Sequence, residues 1–564
     1  MTDQLLDLLQ KLYGAEQSTP VYEQLQKRLE IARTRLHPET STPLFSQRDV
    51  VLITYGDTLQ DSGQAPLHTL HQFAAQCLRG TISAIHILPF YPYSSDDGFS
   101  VIDYHTVDSQ LGTWNHITQL RSDFDLMFDA VINHMSAQSE WFKRYLAGDA
   151  QFANAFIEVP PDTDLSTVTR PRTLPLLTPF RKADGLTAHV WTTFSADQVD
   201  LNYADPNMLF RVLDVVLSYI ERGARIIRLD AIAYIWKETG TNCIHREQVH
   251  WIIQLMRHVL DEVAPNTIII TETNVPHAEN VSYFGDGYHE AQLVYNFTLP
   301  PLVFHTLLAG NADKIREWIN SLETPSARTT FFNFTASHDG IGLRPVEGIL
   351  TPAELQALIE RVEAHGGRVS YRSNPDGTES PYELNITYVD ALTHPSEPLG
   401  IQVKRFLMSQ AIAMTLAGIP AIYIHSLLGS RNYHVGVSKT GHNRTINREK
   451  LLLDEVERAL DDVTSFRSRV FDGYQHLLAT RTAQPAFHPN ASQRALDLNN
   501  EGVLAIERQT DSQQVIALYN VTAQSQTIDL HPYLPGQAHD LLTGETVASG
   551  QHILHPYQMR WLQS

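Results

Sequence analysis

The sequence contains few cysteines and few basic residues. Among 564 residues only two are cysteine, Cys77 and Cys243, and they share no metal-binding spacing. We interpret them as free thiols in a reducing cytoplasm. Lysine and arginine number 42 against 63 aspartates and glutamates, which gives a formal net charge of −21. Because nucleic acids and anionic membranes bind basic surfaces, this balance predicts neither as a partner.

The sequence also lacks a long hydrophobic segment. Its strongest apolar run, AIAMTLAGIPAIYI at 411–424, is too short for a bilayer and contains a Gly-Ile-Pro break. The first residues, MTDQLLDLLQKLYG, carry acids where a secretory signal would carry basic residues. Overall composition, with 43% hydrophobic and 19% charged residues, is that of an ordinary globular protein. We therefore expect a cytoplasmic protein that does not associate with membranes.

Short apolar runs separated by helical segments organise the middle of the chain. This alternation is typical of a (β/α)8 TIM barrel, an α/β fold in which each parallel strand is followed by a helix. A doubly wound open sheet is the alternative, but no glycine-rich phosphate fingerprint follows the first run. The runs are VVLITY (50–55), AIHILPF (84–90), DLMFDAVINH (125–134), RIIRLDA (225–231), TIIITETN (267–274), QLVYNF (292–297), TTFFNFTASHD (329–339) and IPAIYI (419–424).

The segments outside these runs predict additions to the barrel. The start of the chain has helical periodicity, which we expect to break at Gly14 and again at Ser18-Thr19-Pro20. Long segments after the third and seventh runs should lie over the C-terminal face, where such loops usually build the active site. The predicted domains are a helical N-terminal extension (1–47), the barrel (48–484) with inserted loop domains at about 137–205 and 345–395, and a C-terminal antiparallel β-domain (485–564).

Polar side chains stand at the ends of four of the runs. Asp230 closes the fourth run and Glu272 closes the fifth. Acids at the C-terminal ends of successive barrel strands would present paired carboxylates to a sugar. Capping of the following helix is the alternative for either acid taken alone. The clusters are Asp129, Asn133 and His134; Arg228 and Asp230; Glu272; and His338 with Asp339.

Taken in this order, the clusters resemble the signature of the α-amylase superfamily (glycoside hydrolase family 13) of retaining α-glycosidases and transglycosylases. Further motifs are similar to its sucrose phosphorylase-like subfamily: VLITYGD, HILPFYPYSSDDGFSVIDY, INHMSAQSEWF, RPRTLPLLTPF, SHDGIG and INR. The N-terminal extension, TETNVPH, NPDGTESPYELNITYVDAL and AIYIHSLLGSRN resemble its glucosylglycerate phosphorylase branch. The resemblance covers nearly the whole chain.

The resemblance implies a double displacement at an anomeric carbon. Asp230 matches the family nucleophile, Glu272 the acid/base, and Asp339 the carboxylate that binds sugar hydroxyls. Arg228 would hold Asp230 ionised, because an adjacent guanidinium lowers the pKa of a carboxylate. Glu272 must begin protonated near neutral pH, which burial would favour. The implied glucose-binding residues are Asp96 (selected over Asp97 by the family match), His134, Arg228, His338 and Arg448.

Phosphorolysis also needs a site for inorganic phosphate beside carboxylates that would repel it. Arg172 matches the family's phosphate-binding arginine, and a guanidinium can bind phosphate bidentately. A salt bridge at the rim is the alternative for this residue. Tyr382 matches a loop tyrosine that helps bind phosphate, and Glu383 stands where sucrose phosphorylases tend to have Gln. An acceptor carboxylate would need a cation, and the sequence does not choose among Arg172, Arg344, Arg372 and His442.

The resemblance therefore implies reversible phosphorolysis of 2-O-α-glucosyl-glycerate to α-glucose 1-phosphate and glycerate, with retention. The alternatives are sucrose or glucosylglycerol as donor, a plain hydrolase, and a non-catalytic amylase-fold scaffold. Asn133 belongs to a motif that helps bind calcium in many amylases, although sucrose phosphorylase-like enzymes generally manage without it. We expect no metal and no cofactor, small-molecule substrates as the partners, and either a monomer or a homodimer.

Overall fold

The computed structural model describes residues 2–36, 43–172, 174–374 and 378–564. Residues 1 and 37–42 of the predicted extension lie outside the described residues. The same holds for Thr173 in the RPRTLPLLTPF motif and for 375–377 in the loop that precedes Tyr382.

A closed barrel of parallel strands forms the centre of the molecule, as predicted. The strands follow one another around the barrel in chain order, and the last closes on the first, with Val51 opposite Ala421. Their side chains are almost entirely buried, which explains why the runs are continuous rather than alternating. The strands are β1 (Val51–Thr54), β2 (Ala84–Ile87), β3 (Asp125–Ala130), β4 (Ala224–Leu229), β5 (Ile268–Thr271), β6 (Leu293–Tyr295), β7 (Thr330–Phe334) and β8 (Ile419–Tyr423).

Helices connect the strands and surround the barrel. The helix Pro206–Glu221, for example, begins where the Asp205 side chain accepts a hydrogen bond from the backbone N–H of Asn207, with proline at its first position. No helix in the described ranges has the length and apolar character needed to cross a bilayer. The other helices between β1 and the C-terminal strands are Pro66–Cys77, Trp114–Arg121, Glu140–Leu146, Glu247–Val263, His277–Val281, Leu299–Ala309, Asp313–Ser321, Pro352–Ala364, Tyr388–Leu392, Leu399–Thr415, Ile424–Leu427, His434–Thr440, Leu453–Asp461 and Phe466–Thr482.

The N-terminal segment forms α1 (Thr2–Tyr13) and α2 (Ala15–Arg35), which dock on the outside of the barrel. Arg33 of α2 pairs with Glu262 at 2.5 Å, on a helix of the barrel wall. The predicted break at Gly14 is present, and its φ of +79° is a conformation that glycine adopts readily. The predicted break at Pro20 is wrong, because α2 continues through this residue and buries its apolar face beyond it.

Two long segments, after β3 and after β7, lie over the C-terminal face. The first pairs the short strand His134–Ser136 with Gln198–Asp200 and contains the hairpin of Leu177–Arg181 and Thr187–Trp191. The second contains the helix Pro352–Ala364 and a three-stranded sheet of Ile341–Gly342, Glu379–Asn385 and Arg368–Ser373.

The C-terminal segment forms an antiparallel β-domain, as predicted. Arg508 in this domain is fully buried and donates to the carbonyl of Thr415 at 2.6 Å, so it links the domain to a helix of the barrel. One sheet has the strand order Ser492–Leu496, Val503–Thr510, Gln513–Asn520, Met559–Gln563, Ala538–Asp540 and Thr546–Val547, and a second pairs Gln526–Asp529 with Gln551–Leu554.

Candidate active site

Strand β4 supplies the guanidinium and the first carboxylate of the candidate site. Arg228 and Asp230 are two residues apart, so both side chains point to the same side of the extended chain. Nη1 of Arg228 donates to Oδ1 of Asp230 at 2.7 Å and also to Asp129 on β3. His86 on β2 approaches the other oxygen of Asp129, with Nε2 2.7 Å from Oδ2. Neighbouring strands therefore hold the Arg228 side chain, which is only 2% exposed.

Glu272 follows β5 directly and lies next to Asp230. Its Oε2 accepts a hydrogen bond from the backbone N–H of Ala231 at 3.1 Å and lies 3.8 Å from Nη2 of Arg228. Ala231 has a left-handed φ of +49°, a strained conformation for a residue other than glycine. This turn after β4 directs the N–H of Ala231 toward Glu272. The two carboxylates consequently share one guanidinium.

Burial sets the protonation of this pair. It raises the pKa of Glu272 to about 7 and the pKa of Asp230 to about 6, while Arg228 acts in the opposite direction on both. Arg228 lowers the pKa of Asp230, as expected, but desolvation of the buried carboxylate outweighs this attraction and leaves the pKa above its usual value. The order of the two values still makes Asp230 the more ionised group at neutral pH. Glu272 retains its proton in a large fraction of molecules.

Asp339 differs from the other two carboxylates in its charge environment. It lies in the loop after β7, where Arg444 forms an ion pair with it and Nη2 of Arg448 lies 3.8 Å away. Burial acts to raise the pKa of Asp339, but Arg444, with His338 and Arg448, holds it well below its usual range. Asp339 is therefore ionised at every pH at which the protein is expected to work.

Two histidines form one wall of the pocket. His338 stacks on Phe99 with ring centroids 4.9 Å apart, and burial lowers its pKa well below the usual value. Nε2 of His134 lies 2.9 Å from the carbonyl oxygen of Phe99. Beside it, Gln198 Nε2 donates to Oδ2 of Asp96 at 3.2 Å. Both imidazoles are neutral, since burial also lowers the pKa of His134.

The SSDDGF turn separates the roles of two adjacent acids. Both have a left-handed backbone, with φ of +54° at Asp96 and +48° at Asp97. Asp96 lines the pocket, whereas Asp97 forms an ion pair with Nη1 of Arg448 at 2.5 Å. Nε of Arg448 also donates to the carbonyl of His338 at 2.8 Å. Asp96 therefore faces the pocket, and Asp97 secures an arginine behind it.

Two residues from the long segments complete the open end of the pocket. Arg172 and Tyr382 line the same pocket as Glu272. Within the described part of the chain, Arg172 has no carboxylate partner, which argues against a rim salt bridge. Of the four cations proposed for an acceptor carboxylate, Arg172 alone lines this pocket. Arg344 and Arg372 both approach Glu347, at 3.8 and 3.3 Å, and His442 is exposed.

Glu383 is turned away from the open pocket and is 2% exposed. Arg444 binds its carboxylate bidentately, with Nε 3.0 Å from Oε1 and Nη2 2.6 Å from Oε2. The same guanidinium pairs with Asp339, so it connects the loop after β7 with the three-stranded sheet above it. A bidentate, charge-assisted pair of this kind has a fixed geometry.

The structure brings together most of the residues that the sequence predicted for the site. Arg448 and Glu383 stand behind the pocket wall rather than on it. Arg444 was missed, although its position four residues before Arg448 in NRTINR is a usable signal. The predicted residues on the pocket wall are Asp96, His134, Arg172, Arg228, Asp230, Glu272, His338, Asp339 and Tyr382, and those not predicted are Phe99, Phe194, Gln198, Ala231, Asn274 and Arg444.

The chain is similar to known enzymes over its whole length. Two family models match it, "Alpha amylase, catalytic domain" at residues 80–341 and "Maltogenic Amylase, C-terminal domain" at 493–561. A glucosylglycerate phosphorylase of Escherichia coli (strain K12) is 46% identical over 564 residues, which is 100% of both chains. One of Allomeiothermus silvanus is 49% identical over 520 residues, 92% of this chain and 91% of the relative.

Among solved structures, a sucrose 6F-phosphate phosphorylase from Thermoanaerobacter thermosaccharolyticum superposes with a TM-score of 0.76 at 23% identity. The match covers 92% of this chain and 100% of that one. At this identity, the likeness shows the shared fold alone.

Proposed function

The chain belongs to the α-amylase family, and on that premise we propose that it is a retaining glycoside phosphorylase. It converts 2-O-α-glucosyl-glycerate and phosphate, reversibly, into α-D-glucose 1-phosphate and D-glycerate. The observation that carries the proposal is the placement of Asp230 and Glu272 on one guanidinium, with Arg172 in the same pocket and without a carboxylate partner among the described residues. The glucosylglycerate phosphorylases among its relatives support the choice of substrate.

In the first half of the reaction, the Asp230 carboxylate attacks the anomeric carbon of the glucosyl group. The bond from that carbon to the glycerate oxygen breaks, and Glu272 donates its proton to the leaving oxygen. The product is a covalent glucosyl ester of Asp230 with inverted configuration. Asp339 remains ionised, so it can accept hydrogen bonds from sugar hydroxyls and stabilise the positive charge of the transition state.

In the second half, an oxygen of inorganic phosphate attacks the anomeric carbon. Glu272, now ionised, accepts the proton of the phosphate, and the ester bond to Asp230 breaks. The second inversion restores the α configuration, which gives α-glucose 1-phosphate. Arg172 and Tyr382 hold the phosphate at the open end of the pocket, because a guanidinium can neutralise an anion that the carboxylates would otherwise repel.

The acceptor end favours an anionic leaving group. Glu383, which stands where sucrose phosphorylases tend to have Gln, is neutralised by Arg444 and adds no free negative charge to the pocket. Arg172 remains available to bind either phosphate or the carboxylate of glycerate. Sucrose or glucosylglycerol would react through the same carboxylates. The choice among these donors therefore needs an experiment. The presence of Asp230 and Glu272 in the pocket argues against a non-catalytic scaffold.

The proposed function extends to the roles of the domains, the compartment, the partners and the oligomeric state. Residues 48–484 carry catalysis, while 1–47 and 485–564 are accessory parts. The enzyme acts in the cytoplasm, in keeping with its two free thiols, Cys77 and Cys243. Its partners are small molecules rather than nucleic acid or membrane, it needs no metal or cofactor for the reaction, and it acts as a monomer or a homodimer.

Replacing the nucleophile tests the mechanism. In Asp230→Ala, phosphate-dependent release of glucose 1-phosphate from glucosylglycerate should fall at least about 10⁴-fold, because no covalent ester can form. Asp123→Ala, which removes a surface partner of His71 and Arg79, serves as the control and should keep full activity. Substantial residual phosphorolysis by Asp230→Ala would show that another group is the nucleophile.

A further inference from the structure

A lysine that takes no part in the proposed reaction is buried behind the pocket. The side chain of Lys237, in the loop after β4, is 2% exposed. Its Nζ lies 2.5 Å from Oδ2 of Asp200, donates to Oδ1 of Asn133 at 2.7 Å, and donates to the backbone carbonyl of Tyr234. A carboxylate, an amide oxygen and a backbone carbonyl are the ligands that a hard divalent cation takes in proteins.

These oxygens belong to three separate parts of the chain. Asn133 follows β3, Asp200 ends the short strand that pairs with His134, and Tyr234 lies in the turn after β4. A cation between them therefore ties together three segments that border the pocket. Calcium, which the motif around Asn133 helps bind in many amylases, does not fit here, because the ammonium already occupies the position among the oxygens. Among the described residues, no cluster of three or more His, Cys, Asp or Glu could hold a metal.

We infer that Lys237 is the resident cation of this site and positions His134 for glucose binding. The ammonium is only a donor, so the amide oxygen of Asn133 must face it. The amide nitrogen of Asn133 then points to Nδ1 of His134, 3.0 Å away, and donates to it. Because Nδ1 accepts, the ring proton is on Nε2, which donates to the carbonyl of Phe99 at 2.9 Å. Lys237 thus sets both the orientation and the tautomer of His134.

Through Asp200, Lys237 also influences the opposite side of the pocket. In the register of the two short strands, Asp200 is directly opposite His134. Gln198, on the same strand, donates to Asp96. Loss of the ammonium would leave the carboxylate of Asp200 buried without its cation. We expect the strand Gln198–Asp200 to shift in response, or water to enter beside the carboxylate. Both His134 and Asp96 face the glucose subsite, so binding of glucose should weaken when Lys237 is removed.

The test compares Lys237→Ala with Lys237→Met, each with EDTA and with CaCl2. Lys237→Ala leaves a space lined by oxygens, so it should have a lower Tm and a KM for α-glucose 1-phosphate raised roughly tenfold or more. Millimolar Ca²⁺ should restore part of both. Lys237→Met fills the space without a charge, so it should have a lower Tm and a higher KM than the wild type both with EDTA and with CaCl2. The wild type and Lys182→Ala, a control with a more exposed lysine paired to Glu158, should respond to neither additive.

Three results would overturn the inference. One is a Lys237→Met variant with wild-type Tm and KM, since the charge would then have no function. Another is a folded Lys237→Ala variant that Ca²⁺ leaves unchanged. The third is a fall in kcat with unchanged KM, which indicates fewer active molecules rather than a displaced His134. The kinetic readout rests on the proposed function, whereas the effect of Ca²⁺ on Tm does not, so the two can fail separately.

Discussion

Arg228 forms the electrostatic centre of the site, because it contacts Asp129 and Asp230 and lies near Glu272. Arg228 acts to lower the pKa of all three acids, but at Asp230 and Glu272 the effect of burial is larger. Burial raises the pKa of Asp230 to about 6 and that of Glu272 to about 7. The difference between the two matches the two roles, since the nucleophile must be ionised and the acid protonated.

These values predict a bell-shaped dependence of kcat/KM on pH. Activity should fall as the pH drops through about 6, because Asp230 becomes protonated, and fall as the pH rises above about 7, because Glu272 loses its proton. In Glu272→Gln, measured with α-glucosyl fluoride, whose leaving group needs no acid, the acidic limb should remain and the alkaline limb disappear. An alkaline limb that persists in this variant would belong to another group.

Which site residues could be predicted depends on how local their signals are. Asp230 and Glu272 end buried strands, so their position follows from the pattern of the chain itself. Arg444 and Gln198 were missed because their partners, Asp339 and Asp96, come from segments far away in sequence. Contacts of this kind arise only when the long segments fold over the barrel.

Among the elements, the segments after β3 and β7 supply the acceptor end of the pocket. Arg172 comes from the first, and Tyr382 and Glu383 come from the second. The sequence predicted all eight barrel strands, since each is a buried apolar run bounded by polar residues. It could not predict how α2 continues through Pro20, because buried contacts beyond the proline outweigh the loss of one backbone hydrogen bond.

Removing Arg172 should affect phosphate more than neutral acceptors. The KM for phosphate should rise roughly 10- to 100-fold in Arg172→Ala, which corresponds to the loss of a charge-assisted hydrogen bond. Transfer of glucose from α-glucosyl fluoride to glycerol, which involves no phosphate, should change much less. Arg170→Ala is the matched control, because Arg170 lies in the same segment but donates to the carbonyl of Leu174. Equal losses in both reactions would indicate that Arg172 has a structural role.

Arg444 pairs with both Glu383 and Asp339, so we expect the effects of substitutions at Arg444 and Glu383 to be coupled. Arg444→Gln leaves the buried carboxylate of Glu383 without its cation, whereas Arg444→Gln with Glu383→Gln leaves two neutral amides. The double variant should therefore lose less kcat/KM for glycerate than the two single losses combined, with a coupling of at least about 1 kcal/mol. Additive losses would contradict a direct interaction between the two residues in solution.

At the scale of the whole molecule, an acidic protein must bind anionic substrates. With a net charge of −21, the overall field repels phosphate, glucose 1-phosphate and glycerate. Arg172 on the C-terminal face offsets this repulsion where the substrates bind, whereas the charge of Arg444 is already balanced by Glu383 and Asp339. The sequence predicted the barrel and the C-terminal β-domain. The sequence also indicated that the helical extension docks on the barrel, but the place at which α1 and α2 dock could not be predicted, because it depends on pairs such as Arg33 and Glu262 that are distant in the chain.

In the proposed function this pocket exchanges glycerate for phosphate on the glucosyl group, and a comparison of donors is the decisive experiment. Initial rates of glucose 1-phosphate formation should be measured with 2-O-α-glucosyl-glycerate, glucosylglycerol and sucrose at the same phosphate concentration. The proposed function predicts the highest kcat/KM for glucosylglycerate, on the order of 10- to 100-fold above the neutral donors, because only this donor offers a carboxylate to Arg172. A higher kcat/KM for sucrose or glucosylglycerol would contradict it.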